Sequence, residues 1–208
     1  RISSYMEERV RREKELNETQ IAMMQSQLNP HFLYNTLDTM KWVAKANHIP
    51  EIATLAAKLA KILRTSISSA QFITLREEMT LVESYAKIQK IRFNGKFDFC
   101  YEIAPETEEI LVPKLIVQPI VENAVHHGAM QREKGVGKVI VNVKREERST
   151  RIDVIANGPG MDYRIVQSLY GGEKVEHTGI GMMNVQQRLI SLYGKSYGLQ
   201  IVTSEEGT

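Results

Sequence analysis

The 208-residue sequence predicts an all-helical segment followed by an α+β domain. Three observations carry that prediction. The first seventy or so residues are rich in helix formers, with apolar side chains at helical spacing. "KFDFCYEI", "KVIVNVKRE" and "RIDVIAN" alternate as strands. Glycine-rich stretches then follow a strand or open a helix. Mixed strands and helices after an all-helical start imply two domains. The expected spans are 1–75 for the helical segment, 76–95 for a connecting helix and 96–208 for the α+β domain.

The helical segment opens with "YMEERVRREKELNETQIAMMQSQL", which holds no glycine or proline. Met6, Val10, Ile21, Met24 and Leu28 form one sticky stripe, the pattern of a coiled coil. After "NHIP" a second helix is expected from about Glu51, with Ile52, Leu55, Leu59 and Ile62 on one face. Two amphipathic helices joined by a short loop make a hairpin, and a stripe left over predicts pairing into a four-helix bundle. A third helix, about Leu75 to Arg92, places Leu81, Tyr85, Ile88 and Ile91 toward a core. "PKLIVQPIVENAVHHG" reads as an apolar helix with an early proline, "GIGMMNVQQRLISLYG" as a glycine-opened helix and "GLQIVTS" as a further strand.

Composition excludes several classes. A net charge of +2 without a basic, aromatic-interleaved stripe gives no sign of nucleic-acid binding. No run of about 18 apolar residues is present, so no spanning helix is expected, and no signal peptide is visible. The single cysteine, Cys100, lies in an apolar run and is expected to be a buried thiol of a reducing compartment. Both ends read as cuts within a longer, cytosolic chain.

"LNPHFLYNTLD" (28–38) raises a sharper question. A proline inside a helix removes a hydrogen bond and clashes with the carbonyl four residues back, here that of Ser26. Either the helix kinks at Pro30, or a new segment starts there with Asn29 as N-cap. Both outcomes free backbone N–H groups beside His31, where the local dipole favours a phosphate. Asn35, a turn further along the same face, can reach the ring or a phosphate oxygen. Alone, the pattern fits an ordinary surface histidine at a kink better than a reactive one.

Three later stretches add to it. "VENAVHHG" (121–128) puts ionisable groups on an apolar helix, "ANGPGMD" (156–162) is a glycine loop after a strand, and "HTGIGMMN" (177–184) is a second one opening a helix. Such loops let backbone N–H groups approach phosphates. Together with "NPHFLYN", these stretches resemble sensor histidine kinases of the YesM/LytS type. The resemblance spans nearly the whole chain. It implies a dimerising helical hairpin followed by an α/β-sandwich Bergerat (GHKL) ATP-binding domain, with ATP and Mg²⁺ as cofactors. It also implies a homodimer, a response regulator whose aspartate is the final acceptor, and the cytoplasmic portion of a bacterial membrane sensor anchored upstream of this segment.

Carried over by position, the resemblance makes His31 the phosphorylated residue, with Asn29, Pro30, Phe32 and Asn35 shaping its site. Asn123 would ligate Mg²⁺, an amide oxygen suiting that hard cation. Glu122 and His127 would line the same pocket, and His126 stands where a lysine or arginine is common. Ala156, Asn157, Gly158 and Gly160 fall in the loop beside the adenine, while Gly179 and Gly181 would close over the phosphates. Residues 162–178 would form a mobile lid. Where many histidine kinases carry a carboxylate after the histidine this chain has Phe32, leaving Asp38, Glu122 or water as proton acceptor.

One departure stands out. The family pattern is D-N-G-x-G, and this chain has Ala156-Asn157-Gly158. A methyl group cannot accept the adenine amino hydrogen bond, a loss of roughly 1.5–3 kcal/mol or about 10- to 150-fold in affinity. A weakened kinase is therefore expected, with a catalytically dead scaffold of the same fold as the alternative. A different Bergerat-fold ATPase would not need "NPHFLYN". The family also continues from "GT" into one more strand, without which a sheet edge would be exposed.

Overall fold

The computed structural model describes residues 30–132, 135–162, 166–167, 180–204 and 208. The chain divides into two compact units after Ser69. Asn29, the proposed coiled coil, most of the proposed lid and Gly179 lie outside the described residues.

In the first unit, α1 (Pro30–Ala46) and α2 (Pro50–Ile67) form the expected hairpin. Pro50 sits at the first helical turn, where its missing N–H is harmless. The turn between the helices is reached through His48 in the left-handed region (φ 55°). Leu37 and Ala44 of α1 and Ala53, Ala56 and Ala60 of α2 are the buried residues. Small alanines let the helices approach closely, and Asp38 reaches Arg64 across the pair at 3.4 Å. This differs from the predicted α2 face, because Ile52 (47% exposed) and Leu59 (42%) remain outside the packed face. Phe32, Trp42 and Val43 are more exposed still. Several large apolar side chains of the hairpin thus face outward, while Leu37 and the alanines form its buried contact.

The second unit begins with β1 (Phe72–Thr74), which pairs antiparallel with β3 (Leu111–Pro113). Helix α3 (Leu75–Arg92) follows at once, started by a capping box. Thr74 Oγ1 accepts the Glu77 N–H, and Glu77 accepts the Thr74 N–H. Leu75, Met79, Leu81, Val82 and Tyr85 are buried along it, as expected of Leu81 and Tyr85, whereas Ile91 is exposed. The main sheet has the order β2 (Phe97–Ile103), β4 (Gly137–Arg145), β5 (Thr150–Ala156). β4 runs parallel to β2 and antiparallel to β5. A parallel pair needs a long crossover, and here residues 104–136 carry it. Val139, Val141 and Val143 alternate into the core of the unit, each worth roughly 1.5–3 kcal/mol when fully buried.

The crossover holds the next departure from expectation. "PKLIVQPIVENAVHHG" is not helical from its start. Leu115 takes a positive φ of 61°, and the α-helix α4 covers only Gln118–Asn123, continuing as a π-helical turn over Ala124–Gly128. The last described helix is α5 (Ile180–Tyr193). "GLQIVTS" forms no regular strand. Gly198 sits at φ 151°, and the Leu199 N–H is taken by the Gln186 side chain instead of a neighbouring strand. Cys100 is exposed on β2, not buried, because it alternates with the half-buried Phe99 on the pleat. Among the described residues no helix is long and apolar enough to cross a membrane.

Candidate functional site

The predicted residues fall into two sets, one in each unit. In the first, His31 and Asn35 lie one turn apart on the exposed face of α1. The Asn35 amide nitrogen stands 3.2 Å from His31 Nδ1. This contact orients the ring and leaves Nε2 as the nitrogen not engaged by Asn35. Pro30 is the first described residue and is already helical. Asp38 is held by Lys41 at 2.6 Å and by Arg64. The Lys41 hydrogen bond holds its carboxyl below the usual value, with the Lys41 and Arg64 charges acting the same way against a smaller opposing effect of desolvation. A carboxylate so engaged is a poor proton acceptor.

In the second unit, a cavity of about 810 Å³ lies against β5. Asn123, His127, Gly128, Ala156, Gly158, Gly160 and Met182 are among its lining residues, although they come from three widely separated stretches. Glycine is required on this wall. A Cβ on Gly128 would fall 2.7 Å from that of Ala156, and one on Gly158 would run into the Gly128 carbonyl. Gly160 takes a positive φ of 82°, where L side chains are strained, and its loop is held by the Met161 N–H donating to Thr203 Oγ1 at 2.6 Å. Ala156 is buried at the wall, and its backbone pairs with Thr208 in both directions.

The structure does not bring every predicted residue to this cavity. Asn157 turns away from it. Its Oδ1 accepts the Lys138 N–H at 2.5 Å, its Nδ2 reaches the Val136 carbonyl, and its own carbonyl accepts from Arg132. The asparagine therefore joins the end of β5 to the start of β4. His126 packs edge-on against Phe93, ring centroids 5.7 Å apart. Glu122 is exposed and does not line the cavity; its charge, after burial, is the second influence that pushes the Tyr85 hydroxyl pKa up. Gly181 approaches Pro119, where an added Cβ would lie 3.2 Å from the proline ring.

Asn123 and His127 are thus the polar groups of the α4 turn on the cavity side. Among the described residues no cluster of three His, Cys, Asp or Glu side chains is placed to hold a metal ion. An amide oxygen beside open space fits a cation that keeps most of its water shell, such as Mg²⁺, better than one needing a full protein cage.

Two residues escaped the sequence reading. Glu78 is fully buried on α3 and accepts backbone N–H groups of Leu115, Val117 and Gln118 at 2.9, 2.9 and 3.3 Å. Arg188 on α5 donates to the Lys114 and Gln71 carbonyls. Neither stands out among charged residues on amphipathic helices.

The chain is thus in two parts, a hairpin that displays an accessible histidine and an α/β unit with a glycine-walled cavity beside its sheet. Comparison with known proteins gives it a family. The histidine kinase family model matches residues 19–97, and the model for histidine kinase-, DNA gyrase B- and HSP90-like ATPases matches residues 109–208. Sensor histidine kinase YesM of Bacillus subtilis is 37% identical over 207 residues, covering 99% of this chain and 35% of that protein. YpdA of Escherichia coli is 33% identical over 92% of this chain and 33% of its own length. Sensor histidine kinase/phosphatase LytS of Staphylococcus aureus is 30% identical over 94% and 34%. The histidine kinase domain of the blue-light-activated kinase of Erythrobacter litoralis EL346 aligns with TM-score 0.48 at 14% identity, over 86% of this chain and 90% of that one. The chain belongs to the sensor histidine kinases of the YesM/LytS type. It spans about a third of the length of these curated relatives.

Proposed function

We propose that this segment is the kinase core of a two-component sensor, which phosphorylates His31 from ATP and passes the phosphoryl group to an aspartate of a response regulator. What supports the reading above all is the cavity, which gathers Asn123, His127, Ala156, Gly158 and Gly160 from distant parts of the chain. For the transfer the ring needs its proton on Nδ1, which the Asn35 carboxamide accepts once its oxygen is turned toward the ring. The Nε2 lone pair would then bond to the γ-phosphorus while the bond to the β,γ-bridging oxygen breaks, and that electron pair leaves with ADP. The ring proton passes to solvent, since Asp38 is engaged by Lys41 and Arg64. Asn35 holds the ring so that Nε2 faces outward. Asn123 would hold Mg²⁺ through its amide oxygen, and the ion supplies neutralisation of phosphate charge when bound. Glycines 158 and 160 allow the nucleotide to approach the backbone; Gly179 and Gly181 are assigned to its phosphates, with 162–178 as the lid.

The domain assignment follows the same reading: residues 1–75 for the coiled coil and phosphotransfer hairpin, 76–95 for a connecting helix and 96–208 for the ATP-binding domain, with residues 70–75 packing in the second compact unit. The outward-facing Phe32, Trp42, Val43, Ile52 and Leu59 support homodimerisation through the hairpin. The full-length protein is assigned to a bacterial membrane, with this segment on the cytoplasmic side.

Ala156 favours a second reading, a scaffold that dimerises and binds the regulator without using ATP. The two are separated by incubating three chains with Mg²⁺ and γ-labelled ATP: the parent, Ala156→Asp, and Ala156→Asp with His31→Gln. Acid-labile label that rises in the second and vanishes in the third establishes the kinase. No label in any chain, with no nucleotide binding after Ala156→Asp, establishes the scaffold.

A further inference from the structure

Residues 114–117 are neither helix nor strand, yet they lead into the turn that presents Asn123 and His127. Leu115 turns this loop through the left-handed region, so successive N–H groups converge on one side. The Glu78 carboxylate fills that convergence: Oε2 accepts from Leu115, and Oε1 accepts from Val117 and Gln118. On its other side the loop is gripped from α5, where Arg188 donates to the Lys114 carbonyl at 2.6 Å and the Gln71 carbonyl at 3.1 Å. The segment is thus fixed by one side chain from each of two helices.

Glu78 is an unusual choice if stability were its purpose. A carboxylate with no solvent exposure carries a desolvation penalty that its hydrogen bonds must offset. Here burial outweighs the backbone N–H groups and moves the carboxyl above its ordinary value. An apolar residue would fill the space at lower cost. What it would not do is fix three backbone donors in one arrangement.

We infer that Glu78 is a positioning residue for the cavity: through the N–H groups of Leu115, Val117 and Gln118 it sets where the 118–128 turn begins, and hence where Asn123 and His127 stand. α3 is buried alongside that turn, with Tyr85 near Glu122 and Phe93 against His126, so a displacement of α3 at Glu78 reaches the cavity through the backbone. The effect on nucleotide rests on the ATP reading above; the effect on the loop does not.

The test uses the 208-residue chain carrying Ala156→Asp, alone and with Glu78→Asp or Glu78→Gln. Amide exchange by mass spectrometry, thermal melting and titration with a fluorescent ATP analogue in Mg²⁺ are the readouts. Glu78→Gln keeps size but turns an N–H₂ toward N–H donors. It is expected to speed exchange over 115–128 by ~10-fold, with 139–143 unchanged, and to weaken nucleotide binding by ~10-fold. Glu78→Asp, shorter but still a carboxyl acceptor, should fall between, and it still reads if the glutamine variant does not fold. Unchanged exchange over 115–128, or acceleration spread evenly over the second unit, overturns the inference. So does local loosening that leaves nucleotide affinity intact. If the Ala156→Asp chain binds no nucleotide, the ATP reading fails, and exchange at 123–128 alone decides for or against Glu78.

Discussion

Glu77 and Glu78 are sequence neighbours with opposite surroundings. Glu77 closes a capping box at the solvent-facing start of α3, and Glu78 turns into the protein with no exposure. Their difference sets a pH dependence. Burial raises the Glu78 carboxyl above its unfolded value. A raised folded pKa means that its contribution to stability is fully present below the unfolded pKa and is lost as pH rises through the folded one. Relative to Glu78→Gln, which does not titrate, the parent should therefore gain stability as pH falls from about 7 to about 4, read as the difference in Tm between the two chains. Nothing in "LREEMT" marks which glutamate goes inside, because helical spacing alone does not reveal a loop that needs an acceptor. Asn157 was hidden for the same reason: its place in a glycine motif suggested a ligand contact, and its side chain instead bridges β5 to β4.

At the scale of elements, α3 was legible as a helix from its periodicity, and its cap follows from Thr74 standing three residues before Glu77. Thr74→Ala should remove the cap and cost ~1 kcal/mol of stability, measured by denaturant unfolding of the second unit. The crossover was the least legible part. An apolar run with one proline suggested a continuous helix, but Leu115 at positive φ and Pro119 in the first turn delay it to Gln118. A left-handed leucine is a tertiary outcome, sustained here by Glu78 and Arg188, and no local signal announces it. "GLQIVTS" misled in the opposite direction, because Gly198 turns the chain at φ 151° and the Gln186 side chain takes the Leu199 N–H that a ladder would use.

For the whole molecule, the division after Ser69 has a direct consequence for assembly. Ile52 and Leu59 contribute little within the hairpin, so Ile52→Glu with Leu59→Glu should leave it folded. If these side chains form the bundle seam, sedimentation will show a dimer for the parent and a monomer for the variant. The melting transition of the second unit should be unchanged. The two-domain plan and the glycine wall of the cavity were readable in advance, because both rest on local composition. The packing of the hairpin on alanines was not, because leucine and isoleucine stripes look equally suited to a neighbouring helix and to a second chain.

The short ladder of β1 on β3 also gives the second unit a mechanical entry point. Chain tension arriving through Ser69 meets Gln71–Thr74 first. Three paired residues and the Arg188 fork onto the Gln71 carbonyl anchor that stretch. Thr74, its last residue, is also the cap of α3, so the end of the strand and the start of the helix are held by the same residue. A displacement of the chain at Gln71 therefore meets the β1–β3 pairing and Arg188 before it meets the start of α3.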